Sequence, residues 1–217
     1  MSALPHAELR RAMIETARRM NEAGLNQGTS GNLGQRVEGG FLVTPTGMDY
    51  AALEPADIVL MRFDGSHEGR RLPSSEWRFH RDILAARPDV DVVLHAHAMF
   101  CTTLACLGRG IPAFHYMVAV SGAAAIPCAP YATFGSEELS RHAVAALRGC
   151  NACLLANHGM IALGPSLQKV LKLAVEIETL AAMYWRALQV GEPDILDEAE
   201  MRRVLAKFET YGRQPAI

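Results

Sequence analysis

The stretch "VDVVLHAHAMF", residues 90–100, ends an apolar run with two histidines spaced two apart, His95 and His97. Side chains on a strand alternate between its faces, so positions i and i+2 project together and the two imidazoles emerge side by side. Such a pair can grip one metal ion, although an H-x-H at a strand end also serves as ordinary polar residues bonded to backbone. His158 stands where another apolar run, "ACLLANHG", gives way to glycine, which is the same context of strand end and break. Glu76 follows Pro73, Ser74 and Ser75 in the first turn of an expected helix, where the helix dipole favours a carboxylate. Three imidazoles and one carboxylate suit a borderline-soft divalent ion, Zn²⁺ first, with Co²⁺ or Mn²⁺ as substitutes. Taken singly, Glu76 reads better as a helix-start residue and His158 as a turn histidine; only jointly do they suggest a metal site.

A second group of residues suits an anion. "NQGTSGN" (26–32), "TPTG" (44–47) and "PSSE" (73–76) are rich in Gly, Ser, Thr and Asn, which expose backbone N–H groups and hydroxyls without bulk. Ser74 and Ser75 also stand at a helix start, where anions bind readily. Each run alone reads as a turn. Together, beside a metal, they outline a phosphate cup that would hold a phosphorylated substrate while the metal acts on a carbonyl.

The elements that must position these groups follow from periodicity. Leu9, Met13, Ala17 and Met20 recur at helical spacing between His6 and Glu22, with Gly24 as the stop. Glu38-Gly39-Gly40 centres a hairpin, "DIVLMRF" is a strand, and "DGSHEGR" is a turn. A helix capped within Pro73–Ser75 runs through Trp77, Ile83 and Leu84 to Pro88, and the histidine strand comes next. Helices are expected near Met99–Leu107 and from Ser136 to Leu147, the second with an N-terminal capping pattern. "NACLLANHGMIALG" reads as a buried strand pair broken at Asn157-His158-Gly159, followed by a long amphipathic helix over 166–190 and a last one over 197–209. Cys150 and Cys153 form a lone CxxC and read as the edge of a buried strand. Strands interleaved with helices without a steady βαβ rhythm predict an α/β sandwich, with a mixed or antiparallel central sheet flanked by helices. A Rossmann fold is excluded, since no G-x-G-x-x-G opens a helix after the first strand, and there is no P-loop.

Bulk properties narrow the partners. A chain of 217 residues without repeats or linkers is expected to form a single domain over 1–217, burying about 70% of its unfolded surface. A formal net charge of -2 provides no field for nucleic acid or an anionic membrane, and no apolar run is long enough to span a bilayer. The N-terminus lacks the apolar core of a signal peptide, and the five cysteines, an odd number, suit reduced thiols in the cytoplasm. A small-molecule or protein partner remains.

In order and spacing, "GLNQGTSGN", "LVTPTG", "LPSSEWRFH", "VVLHAHA", "IPAFHYM", "IPCAPYATFG", "NHGMIA" and "KFETYG" resemble the metal-dependent class II aldolases of the aldolase/adducin family, and within it the L-fuculose-1-phosphate aldolases. The likeness covers nearly the whole chain. It implies Zn²⁺, one per subunit, on Glu76, His95, His97 and His158. It implies a phosphate site on Gly31, Asn32, Thr46, Gly47, Ser74 and Ser75, with Phe134 lining the pocket. It further implies a homotetramer with active sites at subunit interfaces, closed by Tyr116 of a neighbour and by Tyr211. Read from the residues alone, Tyr116 and Phe134 are core and Tyr211 is a tail residue.

The activity implied is reversible cleavage of a ketose 1-phosphate, L-fuculose 1-phosphate or similar, into dihydroxyacetone phosphate and a short aldehyde such as L-lactaldehyde. Its hard step is a carbanion beside a carbonyl, for which Glu76 would be the base and the tyrosines the proton carriers at the aldehyde oxygen. Salvage of 5-deoxyribulose or methylthioribulose 1-phosphate is the alternative, followed by a sugar-phosphate 4-epimerase, dehydratase or decarboxylase on the same fold. A non-enzymatic adducin-like module fits poorly with a complete ligand set.

Overall fold

A computed structural model of the chain describes residues 4–210. Eight strands form one sheet: β1 (Asn32–Val37), β2 (Gly40–Val43), β3 (Val59–Arg62), β4 (His67–Glu68), β5 (Val92–Ala96), β6 (Cys128–Ala129), β7 (Ala152–Leu155) and β8 (Gly159–Gly164). Their order is β4-β3-β2-β1-β5-β8-β7-β6. Neighbours run antiparallel except β6 and β7, so the sheet is mixed, as expected.

Six α-helices flank it: α1 (Ala7–Glu22), α2 (Trp77–Ala86), α3 (Met99–Cys106), α4 (Glu137–Ala146), α5 (Leu167–Val190) and α6 (Glu198–Phe208). Strands β2, β5, β7 and β8 read as nearly continuous apolar runs because both of their faces are covered. On one face Leu33, Leu94, Leu154 and Ala162 meet Met13 and Ala17 of α1, Leu104 of α3 and Ile177 of α5. On the other, Phe41, Val93, Leu155 and Ile161 meet Phe79 and Ile83 of α2 and Leu139 and Ala143 of α4. Successive residues along β5 thus enter opposite cores, which sends His95 to the α2 side with Val93.

Local signals place most boundaries. After α1, Gly24 (φ 73°) lets its N–H reach Asn21 O while the Leu25 N–H reaches Met20 O, closing the helix with a left-handed glycine. Ser136 Oγ accepts from Leu139 N at 3.1 Å and starts α4. Two expectations need correction. "DGSHEGR" is a turn that also holds the edge strand β4, two residues long and paired with β3. The cap of α2 is none of Pro73, Ser74 or Ser75: Glu76 itself occupies the cap position, and its N–H is held by Ser74 Oγ at 3.2 Å. Cys150 and Cys153 are both buried, Cys153 within β7, as a strand edge requires. Among the described residues no helix is long and apolar enough to cross a membrane.

Candidate metal centre and anion cleft

Three chain segments deliver the chemistry to one end of the inner strands β1, β5 and β8. His95 ends β5 and pairs in register with Asn32 at the start of β1 and with Ile161 of β8. His97 lies just past β5. His158 sits in the turn between β7 and β8, where Asn157 takes φ 55° and Gly159 comes so close to β5 that a Cβ would lie 2.4 Å from Ala96 O. Glycine is therefore required at 159, and Asn157 is of the type that tolerates the left-handed region. Glu76 reaches the same place from the start of α2.

The three imidazoles stack edge to face with ring centroids 4.9 Å (His95–His97), 4.7 Å (His95–His158) and 5.0 Å (His97–His158) apart. One ligand nitrogen from each lies within 4.8 Å of the others, an arrangement that could hold a metal ion. Glu76, 6% exposed, spans the group: Oε2 is 3.2 Å from His95 Nε2 and Oε1 is 3.2 Å from His158 Nε2. Nitrogen Nδ1 of His95 lies 2.9 Å from Met160 O and so carries its hydrogen, which leaves a lone pair on Nε2. That Nε2, His97 Nε2 and Glu76 Oε1 are buried without a hydrogen-bond partner. Orphaned acceptors of this kind are costly unless something binds them; the three histidines form a group that could take one divalent cation, and Glu76 lies beside two of them, His95 and His158. Burial pushes His95 down to about 3 and His158 to about 4, the latter with help from His95. It also lowers His97 against the opposing pull of Glu76. All three are neutral at neutral pH, the form a metal requires.

The anion side of the cleft opens next to Glu76. Gly31, Asn32, Thr46, Gly47, Ser74 and Ser75 all line it, together with His97 and His158. Gly31 (φ 79°) and Gly47 (φ 65°) hold left-handed turns that other residues strain to adopt. Two of the expected backbone donors are already engaged: Thr46 N–H bonds Leu72 O at 3.2 Å, and Ser74 N–H bonds Thr44 O at 3.0 Å. Those two residues can meet an anion only through their hydroxyls. Phe134, with 66% of its surface exposed, and Tyr131, with 60%, form an apolar wall with Ala132. The assignment of Phe134 to the core from residue type alone is thus corrected.

Tyr116, 50% exposed, lies outside this cleft and lines a separate groove with Phe114, Leu196 and Lys207, so it too is not a core residue. Tyr211 lies outside the described residues. Thr29 and Ser30 of the run 26–32 also stand in the cleft wall, and two buried side chains lie behind it: Asn26 of the same run, and His80, which was not singled out from the sequence. Asn26 Oδ1 accepts from His97 N at 3.2 Å, and His80 lies 2.5 Å from Asn32. His80 did leave a signal, because it stands four residues after Glu76 and shares its helix face.

Residues 11–185 match the family described as Class II Aldolase and Adducin N-terminal domain, and the chain belongs to that family. It is 59% identical to the 5-methylthioribulose-1-phosphate/5-deoxyribulose-1-phosphate aldolase of Rhodospirillum rubrum, over 94% of this chain and 92% of that protein. It is 48% identical to the L-fuculose phosphate aldolase of Escherichia coli, over 94% of this chain and 96% of that one. A solved structure of L-fuculose 1-phosphate aldolase matches it with a TM-score of 0.91 at 38% identity, covering 95% of this chain and 98% of the other. The protein is accordingly a lyase of the class II aldolase type, a metal-dependent class.

Proposed function

We propose that this enzyme reversibly cleaves a ketose 1-phosphate into dihydroxyacetone phosphate and a short aldehyde, using one Zn²⁺ per subunit on Glu76, His95, His97 and His158. The observation that carries this is the group of three histidines whose ligand nitrogens lie within 4.8 Å of one another, with His95 Nε2, His97 Nε2 and the neighbouring Glu76 Oε1 buried and partnerless among the described residues, beside a cleft of hydroxyls and glycines. The metal, when bound, supplies Lewis-acid polarisation of the substrate carbonyl. Glu76 is the one carboxylate lining the cleft and is the base that moves the proton at the carbon beside that carbonyl. Thr46, Ser74, Ser75 and the turns at Gly31 and Gly47 hold the phosphate, whereas Asn32, expected among them, has its amide engaged by Glu76 and His80. Tyr116 and Tyr211 hand over the proton at the aldehyde oxygen. Because Tyr116 is half exposed and away from the cleft of its own chain, we assign it to the site of a neighbouring subunit in a cyclic homotetramer. Sedimentation of a fully active monomer would overturn that assignment. The free cysteines fit a reducing compartment, so we read the enzyme as cytoplasmic.

For the aldehyde half, the wall of Tyr131, Ala132 and Phe134 favours a short apolar group, and the 59% identity favours 5-deoxyribulose or methylthioribulose 1-phosphate. The structural match favours a second substrate, L-fuculose 1-phosphate, which would release L-lactaldehyde. Steady-state cleavage of all three, coupled to detection of dihydroxyacetone phosphate, decides between them. The expected result is a higher kcat/KM for the two ribulose derivatives; no dihydroxyacetone phosphate from any would sink the aldolase assignment.

A further inference from the structure

Behind the metal ligands, Glu76, Asn32, His80 and Gly34 form a connected chain in which each atom has one consistent role. Asn32 is 5% exposed and opens β1; its Nδ2 donates to Glu76 Oε2 at 3.0 Å, and its Oδ1 lies 2.5 Å from His80 Nε2. An ionised carboxylate can only accept, so Asn32 must turn its amino group to Glu76 and its carbonyl to His80. His80 Nε2 therefore carries the hydrogen and donates it. The other ring nitrogen, Nδ1, is buried without a partner and lies against Gly34, where an added Cβ would come within 2.5 Å. His80 is fully buried, and burial, with His95 nearby, holds it down to about 3, so the ring stays neutral.

We propose that His80 is a positioning residue for the metal centre: by fixing the amide of Asn32 it pins Glu76 Oε2 and leaves Oε1, the partnerless oxygen, aimed at the histidine group. Rotation of the Asn32 amide would set its carbonyl against a carboxylate, and the hydrogen bond from His80 opposes that rotation. Gly34 belongs to the device because only a residue without a side chain lets the imidazole approach β1 so closely. The inference rests on Glu76 and the three histidines being the metal ligands, and it is independent of which sugar phosphate is cleaved.

The test combines the tautomer in the parent enzyme with three variants. Long-range ¹H–¹⁵N correlation spectra of the zinc-loaded protein should show His80 protonated at Nε2 and bare at Nδ1. Losing an outer partner of a metal ligand typically costs on the order of 10- to 100-fold in metal affinity or activity. His80→Leu should therefore bind Zn²⁺ roughly tenfold or more weakly in chelator competition and lose a comparable factor in kcat, with KM for substrate changed little. His80→Gln, whose amide can still donate to Asn32, should recover most of both quantities. Gly34→Ala, which alters no polar group but displaces the ring, should resemble His80→Leu. Equal damage from His80→Leu and His80→Gln, an Nδ1–H tautomer, or parental zinc affinity in both His80→Leu and Gly34→Ala would each overturn the proposal. Zinc affinity and tautomer are read without substrate, so a failed substrate assignment leaves this test intact.

Discussion

The two halves of the cleft are built in opposite ways. The histidine half is assembled from strand ends and a helix cap, is mostly buried, and holds acceptors that nothing among the described residues satisfies. The anion half is assembled from turns, is lined by neutral groups, and has already committed two of its backbone N–H groups to its own loops. A site with buried, unsatisfied acceptors depends on one strong occupant, so losing one member is felt at once. A cup of many weak donors spreads its affinity, and each member matters modestly.

The largest effect sharpens this contrast. His95→Ala removes the fully buried ligand at the centre of the group and should leave the protein without bound zinc by elemental analysis and without turnover; a zinc-loaded, active variant would break the contrast. Next, Glu76→Gln keeps an oxygen for the metal but cannot accept a proton, so turnover should fall about 100-fold or more while some zinc is retained. Proton exchange at the reacting carbon of dihydroxyacetone phosphate, followed by NMR in heavy water, isolates that step; exchange at the parental rate would make Glu76 a ligand only.

The third effect is on stability and belongs to the histidine half and its support. His80 and His95 are both held down to about 3 from 6.5 in the metal-free fold. Below about 6.5 the unfolded chain takes up protons that the folded chain refuses. Stability is thus fully present above that pH and is lost as pH falls from about 6.5 towards about 3. Between pH 7 and pH 5 each residue should remove about 2 kcal/mol from the metal-free protein, measured as urea unfolding, and His80→Leu should flatten the slope. The smallest effect tests the other half. Ser74→Ala should cost about 1 to 2 kcal/mol in binding of phosphorylated substrate, with zinc content unchanged. A loss as large as that of His95→Ala would show the cup to be as concentrated as the metal site.

How much of this could be read along the chain depends on distance in sequence. The i, i+2 pair of His95 and His97 was legible from its spacing, although β5 ends at Ala96 and His97 meets His95 from just beyond the strand; the ends of α1 and α4 were legible because Gly24 and Ser136 act within one turn. The runs rich in Gly, Ser, Thr and Asn were legible as composition, but not which of their N–H groups were free. That depended on Leu72 O and Thr44 O arriving opposite them. Helix α3 carries no cap of its own at Ala98; Glu178 of α5 supplies one across the fold, accepting from Phe100 N at 2.8 Å and Cys101 N at 2.9 Å. The exposure of Tyr116 and Phe134 ran against their residue type, because a large aromatic left on the surface of one chain has a reason that no local pattern encodes.

The sequence by itself determined the longer elements and the kinds of ligand available, since those follow from periodicity and side-chain chemistry over a few residues, but not the two-residue strands β4 and β6, which exist only through pairing with β3 and β7. Only the tertiary structure decided that Glu76 would lie between His95 and His158, that Asn32 would link it to His80, and that Gly34 would make room for the ring. Those meetings join residues far apart in the chain, and they are set by strand register and by the packing of α2 on the sheet, where shifting one strand by a single residue would turn Asn32 and His95 to the other face.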